Sequence, residues 1–349
     1  MIKRFHALYV GQTELDNIGL RGTPANDRRY SNEHLSEVFW AARDVARLLD
    51  EVGYYCFWTA EHHFQREGYE CLPNLIQLGL WLATQTRRLK FGCAFNILPM
   101  WHPIRLAEDY AMADIVTDGR VIMGVGRGYH TREMETLGAP LLDADANRAI
   151  FEEGLDLLLK CFNEEAFHHK GKYFECPPPV PYRGYQLEEI TCVPRPKHLP
   201  VEIWMPIASG KTIDLMPQKG LKAMVTLNGE KILDDVVRAY RDACVRHGRP
   251  KQLGEDMIWA RAYTSPTPSR RQSAGSNRRM TSATSGSHRL GLSATPTKRA
   301  GPGVPLARRR GCPRSPMACS RRPGSVGHRR RSSTASSRSR PNIRGSRIS

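Results

Sequence analysis

Tyr54-Tyr55-Cys56-Phe57-Trp58-Thr59 is followed at once by Ala60-Glu61-His62-His63-Phe64. Six aromatic, β-branched or otherwise apolar residues read as a buried strand. The carboxylate and two imidazoles at its end put titratable groups where an α/β enzyme does its chemistry. Outward from this stretch the pattern alternates. Phe5–Val10 reads as a strand, and the spacing of Val38, Ala41, Val45, Leu48, Leu49 and Val52 predicts a helix ending at Gly53. A helix from Pro73 to about Arg87, a strand over Leu89–Leu98, a helix over Pro103–Thr117 and a strand over Val121–Val125 follow.

Ala146–Phe162 is again helical, after which residues 164–200, rich in Pro, Tyr and His, read as an excursion. The rhythm resumes with strands at Val201–Ala208, Leu221–Leu227 and Asp256–Thr264 and helices at Thr212–Lys219 and Lys231–His247. Seven strands with helices between them imply parallel pairing and right-handed crossovers. The expected fold is a (β/α)8 TIM-barrel type lacking its last helix-strand-helix.

Charge divides the chain. Residues 1–263 hold 32 of the 52 Lys and Arg and all 35 Asp and Glu, whereas 264–349 hold 20 basic residues and no Phe, Trp or Tyr. The body 1–263 is thus near neutral, and the tail 264–349 cannot bury enough apolar surface to order itself. Two readings of the tail stay open: a disordered Arg-rich segment able to neutralise nucleic-acid phosphates, or a frame-shifted stretch of a GC-rich gene. The second is favoured, because the tail begins where a helix and an eighth strand are owed. Nucleic acid is therefore the disfavoured partner.

The nine cysteines form no Cys-x-x-Cys pair, which suits reduced thiols, and nowhere do 18 apolar residues run together. A cytoplasmic protein without a membrane partner is expected.

Four constellations carry chemistry. His62 and His63 are neighbours on an extended chain and should face opposite ways, so no metal is assigned to the pair. One of them suits a general base or a cofactor hydrogen bond; two satisfied polar residues in a barrel layer is the plain alternative. Asn96, near a strand end, is expected to face a ligand, while Arg105 with Glu108 or Asp109 reads as a helix-surface ion pair. Gly124-Val125-Gly126-Arg127-Gly128 offers close backbone approach and a cation for phosphate, without a true dinucleotide fingerprint. Ser209-Gly210-Lys211 follows a strand and opens a helix, which suits either a phosphate cradle or a plain cap.

In this order the pieces resemble the bacterial luciferase-like flavin monooxygenases. The matching residues are Trp58 through Phe64, Leu98-Pro99, His102-Pro103, Arg105, Ala107-Glu108-Asp109, Asp114, Gly119-Arg120, Gly124 and Arg127-Gly128, within about 5–263. The resemblance implies a barrel binding reduced FMN, or the deazaflavin F420 in a sister branch, at the strand C-termini. It also implies O2 as co-substrate, a separate flavin reductase and a homo-oligomer. His62 then corresponds to the catalytic histidine and Arg127 to a flavin-phosphate arginine. Ser209, Gly210 and Lys211 correspond to the phosphate loop, and Asp114 to an acid near the flavin. Trp58, Phe64, Phe95, Trp101 and Tyr129 are candidate walls for the ring and a small apolar substrate. Gly126 stands where luciferase proper has a reactive cysteine, so oxidation of an organic substrate is expected rather than light emission. An F420-dependent hydride transfer is the alternative.

Overall fold

A computed structural model of the 349-residue chain describes residues 4–13, 28–207, 210–226 and 230–260. Seven expected strand positions appear as one parallel sheet. Its strands are β1 (His6–Tyr9), β2 (Cys56–Thr59), β3 (Lys90–Cys93), β4 (Asn96–Ile97), β5 (Val121–Gly126), β10 (Ile203–Pro206), β11 (Lys222–Thr226) and β12 (Met257–Ala260). The order is β1-β2-β3-β5-β10-β11-β12, with β4 pairing the end of β5. Among the described residues β1 and β12 each pair on one side only, so the sheet is open.

The helices α1 (Asn32–Glu51), α2 (Leu75–Ala83), α3 (Pro103–Thr117), α4 (Thr131–Thr136), α5 (Ala144–Asn163), α6 (Gly210–Lys219) and α7 (Glu230–Arg246) lie between the strands. The start of α2 falls two residues beyond Pro73, because the Asn74 side chain caps it by accepting from the Gln77 N–H at 2.9 Å. Arg105 and Glu108 do form a surface pair on α3, at 2.5 Å. The excursion forms two small hairpins, β6 (His169–Lys170) with β7 (Glu175–Cys176) and β8 (Pro181–Tyr182) with β9 (Tyr185–Gln186).

Alternation along the strands sorts two apolar layers. Phe57, Phe91, Cys93, Val121, Met123, Val125, Ile203, Met205 and Ala223 face outward into one core with Leu78, Leu82, Leu106, Leu155 and Met216 of the helices. The intervening residues Cys56, Trp58, Ile122, Trp204, Met224 and Ile258 form a second cluster on the inner face. That cluster proves the curl. The Trp58 and Trp204 rings lie 5.7 Å apart, yet β3 and β5 separate their strands, and three spacings in a flat sheet would put them about 14 Å apart. Gly92, in register with Trp58, makes room, since a Cβ there would stand 2.1 Å from the indole. The sheet is therefore a curled, open half-barrel flanked by helices.

Two expectations are corrected. Leu89–Leu98 is not one strand: it breaks at a cis peptide between Ala94 and Phe95, separating β3 from β4. The alternating glycines of β5 serve this break, not a ligand. A Cβ on Gly124 would lie 1.9 Å from the Cys93 carbonyl oxygen, and one on Gly126 3.2 Å from Phe95 Cβ. All seven described cysteines are free thiols, and no described helix is long and apolar enough to cross a membrane. The tail 264–349, its expected boundary after 263, and Ser209 lie outside the described residues.

Candidate active site

The chain leaving β2 carries two carboxylate knots that aim its histidines apart. Glu61 is buried and accepts from the Ile97 N–H at 2.9 Å, from Trp101 Nε1 at 3.0 Å and from His63 Nε2 at 3.0 Å. It fixes the end of β2 to the turn after β4, and takes His63 with it. Beyond the end of β2, His62 turns the other way to meet Glu133 of α4. Its Nδ1 lies 3.3 Å from each Glu133 oxygen. Glu133 also accepts from the His63 N–H at 2.9 Å and from Gln65 Nε2 at 3.0 Å.

The other nitrogen, His62 Nε2, stands 3.3 Å from the Tyr129 hydroxyl and 3.4 Å from Glu70 Oε2. His130 Nε2 lies 3.5 Å from that same Glu70 oxygen, and the two imidazole rings cross at 88° with centroids 5.0 Å apart. A Glu67–Arg132 pair at 2.6 Å holds the loop after β2 to α4.

The charges follow from this packing. Burial works to raise the Glu133 and Glu70 carboxyls. For Glu133 the bonds from His62, Gln65 and the His63 N–H prevail, and for Glu70 the nearby His130 and His62 imidazoles with the Gln65 amide; both end below the usual carboxylate range. The Glu70 carboxylate beside it, outweighing burial, raises the His130 imidazole. Burial, reinforced by Glu70 and Glu133, pushes the Tyr129 phenol far up, so it remains a proton donor. In the tautomer that donates from Nδ1 to Glu133, His62 Nε2 keeps its lone pair. A neutral imidazole so oriented is an ordered proton acceptor.

Arg127 follows the last residue of β5 and is half-buried. Desolvation and the neighbouring Arg148 guanidinium lower its pKa. Among the described residues no carboxylate lies within ion-pair distance of it, whereas Arg148 pairs Glu152 at 3.6 Å. β10 is the parallel neighbour of β5, and α6 begins at Gly210 just beyond the end of β10. Arg127 and the N-terminus of a ten-residue helix thus stand at adjacent strand ends. Gly210 has open space around its Cβ direction and Lys211 is exposed. A guanidinium with no carboxylate partner among the described residues, on a strand whose neighbour leads into a helix N-terminus, suits an anion such as a flavin phosphate.

The structure does not bring every candidate here. Asp114 lies near the end of α3, at the N-terminal edge of the sheet. It is consumed there by the Lys197 N–H at 2.7 Å, the His198 N–H at 2.9 Å and the His198 ring at 3.0 Å. Asp114→Asn should cost about 1.5–3 kcal/mol of stability in urea denaturation while flavin affinity is unchanged. Weakened flavin binding at unchanged stability would return Asp114 to the site.

Asn96 is fully buried; its amide nitrogen donates to the Gly124 carbonyl at 3.0 Å, clamping β4 to β5, while its Oδ1 has no hydrogen-bond partner among the described residues. Trp58 is 1% exposed and donates to His6 Nδ1 at 3.0 Å, so it fills the barrel interior and is no substrate wall. The space at Gly128 is filled by Met134 and Ile97, not by a ligand. Phe64 and Tyr129 do stand exposed beside the histidines. Glu70, His130 and Glu133 were missed because 131–136 reads as a loop. The one local signal was His130 and Glu133 at helical i, i+3 spacing.

The sequence profile of the family described as luciferase-like monooxygenase matches residues 22–296. The chain belongs to the luciferase-like monooxygenases. The match runs past residue 263, where the residue-level resemblance stops. This luciferase-like chain is 33% identical over 184 residues to the uncharacterized protein y4vJ of Sinorhizobium fredii, covering 52% of this chain and 48% of that one. It is 26% identical over 204 residues to the oxygenase component of a flavin-dependent trigonelline monooxygenase of Acinetobacter baylyi, covering 58% and 52%. The chain spans about half the length of these curated relatives. The fold is shared with the oxygenating constituent of 3,6-diketocamphane monooxygenase from Pseudomonas putida, solved with FMN, at a TM-score of 0.55 and 20% identity over 72% of this chain and 66% of that one.

Proposed function

We propose that the chain is the oxygenase body of a flavin monooxygenase. It takes reduced FMN from a separate reductase and uses O2 to oxidise a small, apolar organic substrate. The observation that carries this reading is Arg127, a half-buried guanidinium with no described partner, at the end of the strand that pairs with the one leading into α6. Arg127, Gly210, Lys211 and Ser209 would hold the phosphate, and the bound reduced flavin would supply the electrons that activate O2.

The chain's own groups then handle protons and water. Glu133 keeps the His62 proton on Nδ1, so that Nε2 accepts a proton from the reacting centre. The Tyr129 hydroxyl stands within reach of that nitrogen as donor, and Phe64 and Tyr129 offer apolar surface to the substrate. The relative named as an oxygenase component supports a separate reductase.

On this reading the half-barrel is an incomplete (β/α)8 barrel. Residues 1–263 form a cytoplasmic catalytic body that pairs with a second copy, and 264–349 are a separate basic segment. Exposed Phe5 and Leu8 at β1 and Trp259 in β12 fit a sheet that is open among the described residues.

Arg127→Ala should weaken binding of FMN far more than of riboflavin, by about tenfold or more, the scale of one charge-assisted contact. Equilibrium dialysis of both flavins against wild type and variant measures this, and equal weakening would refute a phosphate contact. Turnover with F420 and an alcohol, in the absence of turnover with reduced FMN and O2, would favour the hydride-transfer alternative.

A further inference from the structure

We propose that His62, Glu70 and His130 form a binding site for one divalent transition-metal ion, of which Zn2+ is the representative. The three residues come from two segments, the loop after β2 and the start of α4, yet one ligand atom from each lies within 4.8 Å of the others. Glu70 Oε2 is 3.4 Å from His62 Nε2 and 3.5 Å from His130 Nε2. Both are long for hydrogen bonds. They match the separation of about 3.4 Å between two ligand atoms each about 2.1 Å from a tetrahedral ion. His130 Nε2 is buried without a hydrogen-bond partner and points at the shared oxygen.

The tautomer argues the same way. In the tautomer that donates from His62 Nδ1 to Glu133, the Nε2 lone pair faces those of Glu70 Oε2. A cation between them removes the conflict. The Tyr129 hydroxyl at 3.3 Å from Nε2 and Gln65 Nε2 at 3.2 Å from Glu70 Oε2 are the other polar groups in reach. Half-exposed Tyr129 can swing aside, while Gln65 would go on bracing the carboxylate.

A carboxylate behind a ligating histidine is the usual outer support of such a site, and Glu133 occupies that place. Two imidazoles, one carboxylate and a free fourth position favour Zn2+ over Mg2+ or Ca2+, which prefer oxygen ligands. The ion would take the lone pair assigned above to the base, so occupancy would arrest turnover. That consequence rests on the proposed function, whereas the binding does not.

The test is competition for Zn2+ between the full chain and a chromophoric chelator, with Co2+ absorbance as a second readout. One Zn2+ per chain is expected. Glu70→Gln and His130→Ala should each weaken it by about 100-fold or more, and Glu133→Gln by about 10–100-fold. His63→Ala, which removes a ring held by Glu61, should change nothing. The tetrahedral Co2+ band should vanish in His130→Ala. Absence of stoichiometric binding, or unaltered affinity in the isosteric Glu70→Gln variant, overturns the site. If Zn2+ binds as expected but leaves turnover intact, the metal site stands and the role of His62 as base falls.

Discussion

His62→Ala is expected to lower turnover with reduced FMN and O2 about 100-fold or more, while affinity for FMN changes little. The loss is the scale of a positioned general base. His62 Nε2 carries the available lone pair, and the backup groups cannot replace it. Glu70 is held below the usual carboxylate range and so is a poor proton acceptor at neutral pH, and the Tyr129 phenol is pushed upward and stays protonated. The variant should keep its fold. Glu133 retains the His63 N–H and Gln65, so the cost is one hydrogen bond to a buried carboxylate, about 1–3 kcal/mol. The binding elements assigned to the phosphate sit on β5 and α6 and lose nothing. Steady-state kinetics with flavin titration checks this; parallel loss of binding and turnover would make His62 a structural histidine.

The largest stability effect belongs to Gly124→Ala, expected to cost about 3 kcal/mol or more, at the upper end of overpacking. The added methyl would lie 1.9 Å from a backbone oxygen, that of Cys93. That oxygen has nowhere to go, because Gly92 and Asn96 on either side are both paired to β5. Asn96 ties the same place again through the Gly124 carbonyl. Gly126→Ala is the comparison: its Cβ would meet the Phe95 side chain at 3.2 Å, and a small shift relieves it at about 1 kcal/mol. Urea midpoints of the two variants measure the difference. Equal stability would show that β3 and β4 do not press on β5 as described.

These two sites mark what could be read in advance and what could not. The turn Glu61–Phe64 announces itself, because an apolar run ends in three titratable residues and alternation along an extended chain predicts that His62 and His63 face apart. The strand order follows from the alternation of strands and helices. The break at Ala94–Phe95 does not show, since Leu89–Leu98 keeps its apolar character through it. Its trace is on another strand, in Gly124, and only pairing reveals the connection. Glu70, His130 and Glu133 are invisible for a related reason: α4 has six residues and little apolar periodicity, and the partners of Glu133 are 70 and 71 positions away in sequence. Asp114 failed in the opposite direction. A carboxylate in the expected place need not face the site, and this one, buried, is satisfied by a backbone turn at the far end of the sheet.

The central claim is that this chain holds reduced FMN at the C-terminal edge of its half-barrel. An anaerobic titration of the full chain with reduced FMN, run beside reduced F420, tests it most directly. The account predicts saturable, one-to-one binding of reduced FMN that Arg127→Ala weakens and His62→Ala leaves in place. Binding of F420 alone, or of neither cofactor, would contradict it.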